Sequence, residues 1–378
     1  MTPSLPDGSK WRRAGAGRTG IALQEDRLPG GPWGKIVKGG LLAASWLYGA
    51  GHASRMSAYR AGIFKTRKLP CWVISVGNLT AGGTGKTPVV LSVARALTRR
   101  GRKVAVLSRG WGGRAPGPVT VVSDGENLRV HPPEAADEAY LLATRLPGVP
   151  VLTGKDRCAL GERAAAEFGV EGVILDDGFQ HVQLDRDLNL LLLDADRPYG
   201  NGRLLPRGTL REPRGAAARA DGILITRANS PEPETQARLG REYPALPIVV
   251  SRFVPDGVRD LESGEEIDPI GKRVFLVCGI ARPSGFRQTA IQAGLEVAGL
   301  ASFPDHHVYT PAEAAHLRER ARTVGAEGLL TTEKDAVKLR LWPGGDKGGG
   351  DPPAWSLRLR LEILSGEPHW EDWTRGPG

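Results

Sequence analysis

The chain has 378 residues, a formal net charge of +9 and 40% hydrophobic residues. This composition excludes a wholly disordered chain, and the length suggests two domains of ordinary size. The three cysteines lie far apart without a CxxC pair, which argues against a disulfide framework or a cysteine zinc site and favours a reducing compartment. The first 30 residues lack the apolar region of a secretory signal, so we expect none.

The charges are unevenly placed along the chain. No Asp or Glu occurs between Asp26 and Asp124, whereas Lys and Arg recur throughout this stretch. Such a one-signed segment predicts a positive potential that attracts phosphates, nucleic acid or an acidic lipid surface. The alternative is an arginine-rich composition imposed by the genome.

The N-terminal region has two parts. Residues 1–32 are rich in Gly, Pro and charge, and predict a flexible extension. From Trp33 to Arg60 an apolar stripe with aromatic residues is flanked by Lys and Arg. The part of this stretch without Lys, Arg, Asp or Glu, residues 39–54, is shorter than the ~20 residues needed to cross a bilayer. We therefore predict an amphipathic helix on a membrane surface within residues 33–69, the alternative being a helix packed on the next domain.

Short apolar strands alternate with helical stretches from residue 70 onward, which indicates an α/β fold with a parallel sheet covered on both faces. The first set of strands predicts a P-loop lobe over residues 70–228. A second set predicts a smaller α/β lobe over residues 229–364, followed by a polar tail over 365–378.

The segment GNLTAGGTGKTP (77–88) lies between a predicted strand and a predicted helix. Small residues there allow backbone N–H groups to converge on a phosphate, and the helix dipole favours the anion. We expect Lys86 to contact the β- and γ-phosphates and Thr87 to reach Mg²⁺. Thr80 departs from the strict pattern, which has glycine there. The predicted nucleotide-binding residues are Gly77, Asn78, Thr80, Ala81, Gly82, Gly83, Thr84, Gly85, Lys86 and Thr87.

Several carboxylates could complete a site beside this loop. Asp176 and Asp177 end an apolar strand, where one of them can reach Mg²⁺, and Asp194 ends a second such strand. Asp137 and Glu138 fall in the early turns of a predicted helix, where capping and catalysis are equally compatible with their spacing. The segment PDHHVYT (304–310) could orient a catalytic carboxylate, bind a metal or simply be exposed.

The motifs occur in an order that resembles tetraacyldisaccharide 4′-kinase, the lipid A disaccharide kinase of Gram-negative bacteria. The resemblance extends from about Trp46 to about Leu341, and it includes a residue other than glycine at position 80. The motifs are ISVGNLTAGGTGKTP (74–88), SRGWGG (108–113), DEAYLL (137–142), DDGFQH (176–181), RLLPRGTLREP (203–213), GIARPSGF (279–286), FPDHH (303–307) and TEKDAVK (332–338).

The resemblance implies a P-loop kinase that uses ATP and Mg²⁺ to phosphorylate the 4′-hydroxyl of a tetraacyldisaccharide 1-phosphate. It implies Asp137 as the catalytic base, paired with His306, while Lys86 acts on the phosphates. The metal and nucleotide positions that it implies are Thr87, Asp176, Asp177 and Glu212; the candidate substrate contacts are Glu138, Arg109 and Arg211.

The resemblance also implies a peripheral protein at the cytoplasmic face of the bacterial inner membrane, in contact with anionic lipid. We expect a monomer without a nucleic-acid partner. The alternatives are a regulatory P-loop NTPase, a nucleic-acid-binding NTPase and a soluble small-molecule kinase. Against the regulatory class, no [NT]KxD motif for guanine occurs in the sequence, and no aromatic-rich basic groove favours nucleic acid.

Overall fold

The computed structural model describes residues 31–115, 117–305, 307–339 and 351–376. The predicted extension therefore lies almost wholly outside the described residues, as does His306. Within them the helices are α1 (Gly31–Arg60), α2 (Lys86–Arg99), α3 (Asp137–Arg145), α4 (Arg157–Phe168), α5 (Glu234–Glu242), α6 (Pro283–Gln292), α7 (Pro311–Thr323), α8 (Glu333–Leu339) and α9 (Glu367–Trp373).

The strands form one large sheet. They are β1 (Trp72–Asn78), β2 (Val104–Ser108), β3 (Thr120–Ser123), β4 (Val151–Thr153), β5 (Gly172–Asp176), β6 (Leu188–Asp194), β7 (Gly222–Thr226), β8 (Ile248–Asp260), β9 (Glu266–Ile267), β10 (Arg273–Cys278), β11 (Glu296–Ser302), β12 (Gly328–Thr332) and β13 (Ala354–Ser365). Their order is β11-β10-β12-β13-β8-β7-β6-β1-β5-β2-β4-β3, with β9 paired to β8.

Most neighbouring strands run parallel, so the predicted α/β fold is confirmed. The central strands are continuous apolar runs because helices cover both faces of the sheet. Antiparallel pairs occur between β3 and β4, between β8 and β9, and between β8 and β13. The sequence patterns predicted neither β4 nor β9, both of which are too short to show a periodic pattern.

The topology brings several functional segments to one edge of the sheet. β1 lies between β5 and β6 and is parallel to both. The carboxyl ends of β1, β2, β5 and β6 therefore meet at the edge where open α/β sheets bind ligands. The glycine-rich loop follows β1, Ser108 ends β2, Asp176 ends β5 and Asp194 ends β6.

The sheet continues across the predicted lobe boundary, because β7 pairs with β8 in parallel. The division into lobes over residues 70–228 and 229–364 stays a prediction.

Helix α1 matches the helix predicted from the apolar stripe. In the part of the chain that the structure describes, no helix combines the length and the apolar character needed to span a membrane.

Candidate active site

The glycine-rich loop turns sharply into α2 at Gly85. Gly85 is left-handed, with φ of 83°, and a Cβ there would lie 2.3 Å from the Phe253 ring. Gly77, at the other end of the loop, leaves no room for a Cβ, which would lie 2.6 Å from the Phe179 nitrogen. Both positions therefore require glycine, for backbone conformation and close packing.

Thr80 occupies a part of the loop that is held like a strand. It pairs with Leu210 in an antiparallel bridge, and the Ala81 N–H donates to the Thr209 carbonyl at 2.6 Å. The Asn78 side-chain amide donates to the Thr80 carbonyl at 2.8 Å. The backbone of Thr80 does not adopt a positive φ. Glycine is therefore unnecessary at this position, which explains the departure from the strict pattern.

Lys86, the first residue of α2, reaches back over the loop. Its Nζ lies 3.4 Å from the Asn78 Oδ1 and 3.6 Å from the Asp177 Oδ1. The ammonium is thus held beside the carboxyl ends of β1 and β5, where a phosphate bound by the loop would lie.

Asp177 leaves β5 with a φ of 56°. The Arg211 guanidinium donates to both of its carboxylate oxygens, at 2.9 and 2.7 Å, and to the Gln180 side chain at 3.3 Å. Burial opposes ionisation of Asp177, but Lys86 and Arg211 outweigh it and hold the pKa below its usual value. Asp177 is therefore an ionised carboxylate that already has two cationic partners.

Asp176 has a different environment, although it is the adjacent residue. It is buried, and one carboxylate oxygen accepts from the Ser108 hydroxyl at 3.0 Å. The other oxygen, Oδ1, is buried without a hydrogen-bond partner. Burial, together with the charges of Glu138 and Asp177, raises the pKa of Asp176 to about 7. This unsatisfied oxygen is a favourable ligand position for a cation.

Asp194, the alternative carboxylate, is already neutralised. It accepts from Arg227 at 3.0 Å and lies 3.1 Å from the Arg282 guanidinium. These partners hold the pKa of Asp194 low despite its burial. The structure therefore favours Asp176 over Asp194 for a metal.

Asp137 and Glu138, in the first turn of α3, both contact lysines of α8. The Lys338 Nζ lies 3.1 Å from the Asp137 Oδ2. The Lys334 Nζ lies 3.2 Å from the Glu138 Oε1 and 3.0 Å from the Asp305 Oδ1. The two lysines are one turn apart and thus lie on one face of α8. Sequence reasoning noted these lysines only as charges in the TEKDAVK motif.

The histidine predicted to pair with Asp137 is His306, which lies outside the described residues. Two adjacent residues are described. Asp305 shares Lys334 with Glu138 of α3. His307 stacks on Phe303 and lies 3.2 Å from Glu313, which gives it a structural environment. Pairing of Asp137 with His306 stays a prediction.

Glu212 has partners other than the acidic residues and lysines described above. Its carboxylate accepts from Arg219 at 2.5 Å and lies 3.3 Å from the His52 Nε2 of α1. Among the described residues, no cluster of three or more His, Cys, Asp or Glu side chains could hold a metal ion. In the structure Asp177 and Glu212 are each engaged by arginines, and their role as metal positions stays a prediction.

Two further arginines interact electrostatically with each other, and one of them also with Asp176. Arg109 follows β2, is exposed and lies 5.8 Å from the ring centre of Trp111. Arg157 is buried at the start of α4, donates to the Gly154 carbonyl at 2.7 Å and interacts electrostatically with Asp176 and Arg109. Sequence reasoning missed Arg157, whose surroundings leave no local pattern.

A cavity of about 800 Å³ lies in front of the loop. Gly83 to Thr87 line it together with Glu138. Later segments of the chain also line it, including Arg252 to Pro255, Ile280 to Arg282, Ser284 to Phe286 and Thr332 to Lys334. The volume is in the range of small-molecule sites.

Comparisons with known proteins find one family throughout. A sequence model described as "LpxK: Tetraacyldisaccharide-1-P 4′-kinase" matches residues 38–375. A tetraacyldisaccharide 4′-kinase of Syntrophus aciditrophicus (strain SB) is 43% identical over 308 residues, which cover 78% of this chain and 82% of that protein. One from Anaeromyxobacter sp. (strain Fw109-5) is 41% identical over 345 residues, with coverage of 89% and 91%.

A solved structure also matches. It is a crystal structure of the "apo" form of LpxK from Aquifex aeolicus in complex with ATP, with a TM-score of 0.71 and 32% sequence identity. The match covers 89% of this chain and 98% of that chain. The similarity therefore extends to the whole fold.

Proposed function

Because the chain belongs to the tetraacyldisaccharide-1-P 4′-kinase family, we propose that it moves the γ-phosphoryl group of ATP to the 4′-hydroxyl of a tetraacyldisaccharide 1-phosphate. The predicted family and the predicted kinase activity are confirmed. One observation carries the residue-level proposal: the phosphate loop and Glu138, from the acidic first turn of α3, line a single cavity. Donor and acceptor groups can therefore meet there.

The loop binds the donor. The backbone N–H groups of residues 83–87 and the N-terminus of α2 hold the phosphates. Lys86 neutralises charge on the oxygens of the transferred phosphoryl group, where negative charge is concentrated. Asp177 and Asn78 keep the ammonium in place through their contacts with Nζ.

Asp137 acts on the acceptor. As the 4′-oxygen attacks the γ-phosphorus, the bond to the bridging oxygen of ADP breaks and the hydroxyl proton passes to the Asp137 carboxylate. Lys338 fixes that carboxylate from α8 at 3.1 Å. His306 is proposed to orient it further. Arg109 and Arg211 are proposed substrate contacts, although Arg211 also binds Asp177.

The residues also fit Mg²⁺, which P-loop enzymes hold through few protein ligands and the phosphates themselves. The buried Oδ1 of Asp176 has no partner in the described structure, and a cation would satisfy it. Thr87 and Asp176 would hold the ion. Mg²⁺ would neutralise charge on the β- and γ-phosphates.

The transfer itself can be tested in detergent micelles with ATP labelled at the γ-phosphate. We expect the wild type to label tetraacyldisaccharide 1-phosphate and to leave the matched 4′-deoxy analogue unlabelled, because only the former has the accepting hydroxyl. Labelling of both lipids, or of neither, would contradict the proposed reaction.

We propose that α1 docks on the anionic inner leaflet at the cytoplasmic face of the membrane. Three of its large apolar side chains are exposed rather than packed, with Trp33, Trp46 and Leu47 at 79, 74 and 76% exposure. The nearby Lys35 is also exposed, and Lys38 is half-buried. Aromatic rings and cations in this arrangement suit the headgroup region.

Replacing Trp33, Trp46 and Leu47 together by serine should weaken binding to phosphatidylglycerol vesicles by at least ~10-fold, because each large apolar side chain loses a contact worth about 1.5–3 kcal/mol when fully buried. Co-sedimentation measures the effect. Ile270→Ser is the matched control, because Ile270 is 72% exposed in a different part of the chain. Unchanged sedimentation of the triple variant would remove α1 from this role.

A further inference from the structure

Residues 203–212, here called the strap, lie between α1 and the phosphate loop. One part of the strap is bound to the loop by backbone hydrogen bonds on either side of Thr80. The Ala81 N–H donates to the Thr209 carbonyl at 2.6 Å, and the Arg211 N–H donates to the Leu79 carbonyl at 2.7 Å. The strap is thus an added strand for the first half of the loop.

The other side of the strap is held by α1. The buried Ser45 hydroxyl accepts from the Arg207 N–H at 3.0 Å, and its one proton is shared between the Leu204 carbonyl at 2.9 Å and the Leu41 carbonyl of its own helix at 3.0 Å. The Tyr48 hydroxyl donates to the Arg211 carbonyl at 2.7 Å. These polar contacts connect the helix to both ends of the strap.

The residues that hold the strap share one face of α1. Ser45, Tyr48, Gly49 and His52 follow a three-to-four-residue spacing. Packing is close, since a Cβ on Gly49 would lie 3.0 Å from the Leu204 side chain. The exposed Trp46 and Leu47 point elsewhere on the helix.

Near its end the strap carries a residue that touches the site. Arg211, whose carbonyl accepts from Tyr48, places its guanidinium on both oxygens of Asp177. Asp177 in turn lies 3.6 Å from the Lys86 Nζ. A displacement of the strap would therefore move both the backbone beside Thr80 and the carboxylate beside Lys86.

We propose that Ser45 and Tyr48 are positioning residues for phosphoryl transfer, which act by fixing the strap against the phosphate loop and Arg211. The proposal rests on the proposed function. The helix that docks at the lipid surface would then also set the geometry of the loop. Misplacement of reacting groups by about 1 Å can cost ~100-fold in rate, so these hydrogen bonds matter beyond the stability that they add.

The experiment measures kcat and the KM for ATP of Ser45→Ala and Tyr48→Phe, in micelles with saturating lipid acceptor. Each variant has a matched control on the same helix: Ser54→Ala lies on the opposite face, and Tyr59→Phe lies beyond the turns that hold the strap, with its ring against Phe64. We expect kcat of the two variants to fall at least ~5-fold, with vesicle binding unchanged and the controls equal to the wild type.

Melting temperatures separate positioning from misfolding. Tyr48→Phe removes one hydroxyl from a partly exposed side chain, so this variant keeps its fold even if Ser45→Ala does not. A kcat of folded Tyr48→Phe equal to that of Tyr59→Phe would overturn the inference. A loss of vesicle binding that accounts for the whole decrease in kcat would also overturn it. If the wild type itself labels no lipid, the proposed function fails instead, so the two failures are distinguishable.

Discussion

Replacing Asp137 by asparagine is expected to lower kcat by more than ~100-fold, because general base catalysis contributes about 10²–10⁴ to such reactions. The amide keeps the shape of the side chain beside Lys338 but cannot take the proton of the 4′-hydroxyl. Nucleotide affinity should be retained, because the phosphates are held by the loop and Lys86, whereas Asp137 contacts Lys338. Steady-state kinetics and equilibrium titration with a fluorescent ATP analogue measure the two quantities.

Glu234→Gln is the control for this substitution. Glu234 also lies in the first turn of a helix, α5, and is exposed, so the change removes the same favourable interaction with the helix dipole. We expect its kcat to match that of the wild type. Retention of full turnover by Asp137→Asn would exclude Asp137 as the base, and loss of nucleotide binding would point to a structural effect instead.

Replacing Lys86 by methionine is expected to lower kcat by about 10²–10³-fold, the usual cost of removing a charged or hydrogen-bonding group that stabilises the transition state. The same change should weaken ATP binding, which sets it apart from Asp137→Asn. The reason is that the ammonium faces charge on the bound phosphates as well as in the transition state. Single-turnover rates and nucleotide titration measure the effects.

Lys103→Met provides the comparison for a lost lysine charge, since Lys103 is exposed just before β2. We expect wild-type rates and affinity from it. If Lys86→Met bound and turned over ATP like Lys103→Met, the loop would not be the donor site.

The phosphate loop was predictable because its parts are close together in the chain. A buried strand, small residues and the start of a helix follow one another between residues 72 and 99. The place of Asp176 at the end of a buried strand was predictable for a similar reason, since an apolar run directly precedes it. The meaning of Thr80 was not, because its partner Leu210 lies far away in the sequence.

The cationic partners of the acidic residues were also hidden from sequence reasoning. Lys338 contacts Asp137, and Arg211 contacts Asp177, through long-range packing that leaves no periodic signal. The partners of Glu212 were hidden in the same way. The resemblance placed Glu212 among acidic residues near the metal, and the structure shows its carboxylate in contact with Arg219 and His52.

The sheet shows the same division between local and long-range information. The alternating pattern of residues 355–364 predicted a strand, and β13 covers that range. The pattern did not reveal that β13 runs antiparallel to β8 along nearly its full length. Pairing direction depends on where the chain returns to the sheet, which strand composition does not encode.

The central claim is that phosphate held by the Lys86 loop passes to the lipid sugar and not to water. The most direct measurement is the stoichiometry of one reaction, with ADP and lipid-bound 4′-phosphate quantified together, in the presence and absence of tetraacyldisaccharide 1-phosphate. We predict that ADP forms only with the acceptor present and equals the 4′-phosphate produced. Formation of ADP without an equal amount of lipid 4′-phosphate would contradict this account.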